Sequence, residues 1–147
     1  MTLSTDTELR ARREHLVREH MESENKHDFD TALGTFHRPR YEIVATGQVM
    51  QGPEEVMAYY AQTRTAFPDQ RNELIALHHA DDAVIIEFWL RGTHRGSMFG
   101  EAPTNRAFEA RMAAFFLFEK DRLICERVYQ DMATILTQLG LGAAAIA

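Results

Sequence analysis

Along the first half of the chain, apolar residues recur at helical spacing. Leu9, Leu16, Val17, His20 and Met21 fall on or near one face of residues 7–26, with charges elsewhere, which predicts a first helix. Phe29, Leu33 and Phe36 predict a second, short helix over 28–36. Alternation in 40–46, with Tyr41, Ile43 and Ala45 set against Glu42, Val44 and Thr46, predicts a strand ending at Gly47. A third helix is well punctuated. Gly52 can cap it, Pro53 suits its first position, and Glu54 and Glu55 favour the positive end of its dipole. Val56, Tyr59, Tyr60, Thr63 and Phe67 supply its buried stripe, and Pro68 stops it.

After Asp69 the period changes from 3.6 to 2. Residues 72–79 and 83–94 flank Ala80-Asp81-Asp82 and read as a hairpin. Residues 95–106, with Gly96, Gly100 and Pro103, read as a loop. Two further strands, 107–119 and 122–130, enclose the tight turn Lys120-Asp121, and a last helix covers 131–139 between Asp131 and Gly140. Helices and strands are segregated along the chain, which makes the fold class α+β. No repeat or linker divides residues 1–147, so one domain is expected, with tails at 1–6 and 141–147.

Composition narrows the function classes. Sixteen Lys and Arg against 22 Asp and Glu give a net charge of −6 with no basic cluster, so the footprint needed to bind nucleic acid is missing. The longest apolar runs, Met112–Phe118 and Leu139–Ala147, are far too short to span a bilayer. The N-terminus has no signal-peptide core, and the lone Cys125 fits a reducing compartment; a cytoplasmic location is expected.

The element order and several phrases resemble the SnoaL-like polyketide cyclases of the nuclear transport factor 2-like superfamily. The matching residues are Ala66-Phe67-Pro68-Asp69, Gly92-Thr93-His94-Arg95-Gly96, Pro103-Thr104-Asn105-Arg106, Arg122-Leu123-Ile124-Cys125-Glu126-Arg127 and Gln138-Leu139-Gly140. The resemblance implies a cone: a strongly bent antiparallel sheet packed with N-terminal helices around one apolar pocket. It also implies an Asp on the last strand and a His on the preceding one for an intramolecular aldol closure. Counting back from Gln138-Leu139-Gly140 puts those positions at Val128 and Ala114, neither of which can move a proton. The family's own catalytic pair is therefore absent.

Other residues must then carry any chemistry. With Lys120-Asp121 as a two-residue turn, Phe118 faces Leu123, Phe116 faces Cys125, Ala114 faces Arg127, Met112 faces Tyr129 and Ala110 faces Asp131. In that register Arg127, Tyr129 and Asp131 converge on an apolar wall containing Met112, Ala114 and Phe116, and Tyr59 can reach the same pocket. One extra residue would flip the strand and turn Glu126, Val128 and Gln130 inward instead. Asp131 also reads as the cap of the last helix, and Arg127 as one half of a structural ion pair. His94, at a strand end beside two glycines, is either a proton shuttle or a rim histidine. Glu87 and Arg91 belong to the face opposite Val84, Ile86, Phe88 and Leu90. His15 and His20 do not share a helical face, so no metal is expected, and no motif calls for a cofactor.

Three functions fit these residues. The first is a cofactor-free cyclase or isomerase using Asp131 or His94 as acid or base, Tyr129 as oxyanion donor and Arg127 as electrostatic support. The second is an epoxide-hydrolase-like enzyme. The third is a non-catalytic ligand-binding or dimerisation module. In each the partner is a small apolar organic molecule. A homodimer is expected through the convex sheet face, where Ala113, Phe115, Leu117, Ile124 and Val128 would form an apolar patch.

Overall fold

A computed structural model describes residues 3–142, with side chains from residue 6. It contains α1 (Leu3–Asn25), α2 (Phe29–Gly34), β1 (Arg40–Ile43), β2 (Gln48–Gln51) and α3 (Gly52–Ala66). After these come β3 (Arg71–His79), β4 (Ala83–Thr93), β5 (Ala107–Glu119), β6 (Arg122–Tyr129) and α4 (Met132–Leu139). Helix α1 begins four residues earlier than its apolar stripe suggests, so the tail expected over 1–6 is helical from Leu3. Of the expected C-terminal tail, residues 143–147 lie outside the described ones.

The strands form one six-stranded sheet in the order β2-β1-β6-β5-β4-β3. Its pairings are antiparallel except β1 with β6, which run parallel. The segment expected to be one strand over 40–46 is a hairpin. β1 stops at Ile43, the chain turns at Gly47 with φ +73°, and β2 returns beside it. The second strand is only four residues long and mostly exposed, so it carries almost no period-2 signal.

Local chemistry ends the helices. Asp28 and Asp131 are matching caps: each carboxylate accepts the backbone N–H and the hydroxyl of the Thr three residues on, Thr31 and Thr134. Helix α3 is capped by Gln51 rather than Gly52, and the Glu55 carboxylate accepts the Gln51 N–H at 2.9 Å. Arg13 of α1, almost wholly buried, donates to the carbonyls of Lys120 and Asp81, tying both long hairpin turns to the helix while stacking over Phe118.

Between β5 and β6 the expected register holds only next to the turn. Phe118 pairs with Leu123, but Leu117 pairs with Cys125, leaving Ile124 as an unpaired extra residue. From this bulge onward Phe116 faces Glu126, Phe115 faces Arg127, Ala114 faces Val128 and Ala113 faces Tyr129. The core on the helix side of the sheet includes Val84, Ile86, Phe88, Leu90, Met112, Ala114, Phe116 and Val128. Val128 thus belongs to the interior, not to the convex patch expected for it. That convex side carries ion pairs of Arg91 with Glu73 and Glu109 and of Arg111 with Glu87, with Trp89 between the two arginines.

Candidate active site

Helices α1 and α3 lie over the curled sheet and line a cavity partly open to solvent. Its apolar wall includes Ile86, Phe88, Leu90, Met112, Ala114, Phe116 and Val128, and its polar side carries Glu24, Tyr41, Arg64 and Glu126. The four side chains expected to line a pocket, Tyr59, Met112, Ala114 and Phe116, all border it.

The polar side is a continuous hydrogen-bonded network. His20 is fully buried on α1. The Thr35 hydroxyl donates to the Ala32 carbonyl at 2.6 Å, so its oxygen is left to accept from His20 Nδ1 at 2.9 Å. Nδ1 therefore carries a proton. The other ring nitrogen, Nε2, meets three oxygens: Tyr41 OH at 2.7 Å, Glu24 Oε2 at 2.8 Å and Glu126 Oε1 at 2.9 Å. Tyr41 and Tyr60 share a hydrogen bond of 2.7 Å, and Arg64 donates to the second oxygen of Glu24 at 3.1 Å.

Charge is distributed unevenly among these groups. Burial lowers the His20 pKa, but Glu24 and then Glu126 outweigh it and hold the imidazole up at about 10. Burial works against Glu24 ionising as well, yet His20 and Arg64 pull its pKa down to about 2. Glu126 goes the other way: burial, with the Glu24 charge added, raises its pKa despite the hydrogen bond from His20. The network thus pairs an imidazolium with an ionised Glu24 and leaves Glu126 holding its proton to higher pH than an ordinary carboxyl. Glu126 Oε1 is buried, with the His20 ring nitrogen 2.9 Å away. A carboxyl with a raised pKa facing an apolar cavity is suited to acid–base chemistry.

Among the described residues, His20, Glu24 and Glu126 are also the group with the spacing to hold a metal ion, their ligand atoms lying within 4.8 Å of one another. Their contacts at 2.8 and 2.9 Å have hydrogen-bond length, and the Arg64 cation already occupies Glu24. The arrangement suits a shared proton better than a second cation.

The group expected at the end of β6 is not assembled. The Ile124 bulge puts Arg127 on the convex side, where its Nε donates to Glu42 at 2.7 Å. Tyr129 is 43% exposed on that side and packs beside Phe115. Asp131 is an exposed cap whose pKa is lowered by the Thr134 hydroxyl and then by the Thr134 N–H, the opposite of a general acid's need. His94 is fully buried against Phe67, and its Nδ1 accepts the Thr104 N–H at 3.2 Å. It braces the 95–106 loop and does not border the cavity. Ala114 and Val128, which stand where cyclases carry His and Asp, are cross-strand partners on the cavity wall. Pairing His20 only with another histidine misses its helical partner four residues on, the carboxylate of Glu24.

The family model for SnoaL-like polyketide cyclases matches residues 14–139. The chain belongs to this family. No curated protein matches it. Among solved structures, a SnoaL-like polyketide cyclase described as putative, from Jannaschia sp. CCS1, superposes with a TM-score of 0.80 at 16% identity, over 90% of this chain and 94% of its own. IdmH of Streptomyces antibioticus, described as a putative polyketide cyclase, gives 0.70 at 24% identity over 87% and 98%. A phenazine biosynthesis-related protein of Pseudomonas aeruginosa gives 0.78 at 14% identity over 97% and 94%. At these identities the structural likeness shows the fold alone.

The paired shifts fix a pH window for stability. His20, with its pKa raised on folding, stabilises the fold fully below about 6.5 and loses that contribution as pH rises through about 10. Glu24, with its pKa lowered, contributes above about 4.5 and loses it as pH falls through about 2. His20→Gln is therefore expected to cost about 3 kcal/mol between those bounds. Urea unfolding across pH will show the gap to wild type narrowing as pH climbs toward 10.

Proposed function

We propose that this family member is a cofactor-independent acid–base catalyst of the cyclase or isomerase type, acting on an apolar molecule that carries a carbonyl group. The observation that carries the reading is Glu126: a buried carboxyl with a raised pKa, 2.9 Å from the His20 ring nitrogen, on the wall of an apolar cavity. Ionised, such a group is a stronger base than an ordinary carboxylate: it takes a proton from the carbon next to a carbonyl, leaving an enolate, and returns it to another atom of the same molecule. In an isomerisation the proton goes back to a different carbon. In a cyclisation the enolate carbon attacks a second carbonyl, and the proton ends on the new alkoxide.

Tyr41, whose hydroxyl is already polarised by the network, supplies a hydrogen bond to the developing oxyanion, and Arg64 supplies positive potential on the same side. His20 is a positioning residue that acts through Glu126 and Tyr41. Epoxide opening is the weaker reading, because Glu24 with a pKa of about 2 is too feeble a base to activate water. Two structural neighbours, the putative polyketide cyclase IdmH and the phenazine biosynthesis-related protein, support a ring-bearing substrate. A lone buried thiol, Cys125, supports a cytoplasmic setting.

The convex face supports self-association. Its half-buried Ala113, Phe115, Leu117 and Ile124 lie among arginines and glutamates of alternating sign, a surface complementary to a second copy of itself. Light scattering at micromolar concentration is expected to give twice the chain's mass; a strict monomer contradicts this.

Proton transfer can be read without knowing the natural substrate. In D2O, 2-tetralone exchanges the hydrogens beside its carbonyl, and the protein is expected to accelerate that exchange as followed by proton NMR. Glu126→Gln is expected to lower the acceleration about 100-fold while remaining folded. No acceleration by wild type, or an unchanged rate in Glu126→Gln, leaves the ligand-binding module as the better account.

A further inference from the structure

A second chamber adjoins the first. Its walls are of different character: Phe67, Phe99, Phe108, Met98, Met132 and Ile135 supply the apolar part, Thr46, Gln48 and Thr63 add neutral polar groups, and among the described residues no carboxylate, lysine or arginine borders it. Tyr59, Gln70, Leu90 and Gln130 border both chambers and so form the partition between them. Gln130 stands just beyond the end of β6, turned toward the cavity side by the Ile124 bulge, as Glu126 and Val128 are.

The amide oxygen of Gln130 is buried and has no hydrogen-bond partner. A buried amide oxygen left unpaired carries a desolvation penalty that is relieved when a donor arrives. The second chamber's walls are mainly aromatic and aliphatic, which suits a ring system, and its polar groups are neutral hydroxyls and amides. The first chamber holds the proton-transfer group.

We propose that Gln130 is a specificity-determining residue. Its amide oxygen, at the partition, accepts a hydrogen bond from an O–H or N–H of a ligand whose ring body lies in the aromatic chamber and whose reacting end extends to Glu126. The ligand class is thus a fused-ring compound with a hydroxyl or N–H at the ring edge, not a plain hydrocarbon. The assignment of the reacting end rests on the acid–base reading above; the partition contact does not.

The test compares 2-naphthol with 2-methoxynaphthalene, which share a ring system but differ in the one donor. Binding is followed by isothermal titration calorimetry. Wild type is expected to bind the naphthol about tenfold tighter, the worth of one hydrogen bond to an otherwise unpaired group. Gln130→Leu is expected to bind both equally, with the affinity for the ether unchanged; Gln130→Met gives the same result if the branched variant folds poorly. Glu126→Gln is expected to keep the preference. Equal binding by wild type, binding of neither compound, or a preference that survives in Gln130→Leu overturns the proposal. A preference lost in Glu126→Gln but kept in Gln130→Leu places the donor at Glu126, so this inference fails while the acid–base reading stands. Conversely, a Gln130-dependent preference without 2-tetralone exchange leaves the ligand contact standing and removes the catalysis.

Discussion

Between the pairs Phe118–Leu123 and Leu117–Cys125 the sheet absorbs one unpaired residue, Ile124, and every β6 side chain beyond it changes face. The position of the chemistry depends on this bulge. With it, Glu126, Val128 and Gln130 turn toward the helices, while Arg127 pairs with Glu42 on the convex side. Without it, a carboxylate would sit on the outer surface and an arginine would sit against Ala114, with no room for the His20 network. Bulges cost a ladder hydrogen bond, and they recur where a sheet must re-aim side chains at a site.

The inward turn of Glu126 creates an electrostatic problem that α1 and α3 solve. A second carboxylate, Glu24, lies beside the same imidazole. Two ionised carboxylates would be balanced in sum by the imidazolium and the Arg64 guanidinium, but Arg64 reaches only Glu24, so Glu126 has a share of the imidazolium alone. The network therefore lowers the pKa of the residue with two cationic partners and raises that of the other. Glu24 is thus the fixed counter-ion and Glu126 the group that exchanges a proton. The Tyr41 and Tyr60 hydroxyls extend the network, and burial raises both of their pKa values, so they stay neutral donors.

Much of the fold was legible because its signals are local. The Asp131 and Gly140 boundaries of α4, Pro53 and Pro68 around α3, and the alternation of Val84, Ile86, Phe88 and Leu90 each follow from short-range chemistry. The β1–β2 hairpin was not legible: β2 is four residues long and exposed at the sheet edge, where burial imposes no alternation. The candidate site was legible only in pieces. That Ala114 and Val128 replace the cyclase pair could be seen in the chain, as could the apolar wall. Which polar groups join that wall depends on one unpaired residue, and no local propensity marks Ile124 as a bulge. His20 with Glu24 did leave a signal, a histidine and a carboxylate one helical turn apart on an apolar stripe, but its meaning depends on Glu126 arriving from residues more than a hundred positions away.

The central claim is that Glu126 holds its proton to higher pH than an ordinary carboxyl while Glu24 loses its own well below that range. Difference infrared spectroscopy of wild type against Glu126→Gln isolates the protonated carboxyl stretch of this one side chain. The account predicts that the band persists above pH 4.5, the ordinary carboxyl value, and bleaches only at higher pH. A band lost at or below pH 4.5 would contradict it, because Glu126 would then be an ordinary carboxylate and the cavity would hold no strengthened base.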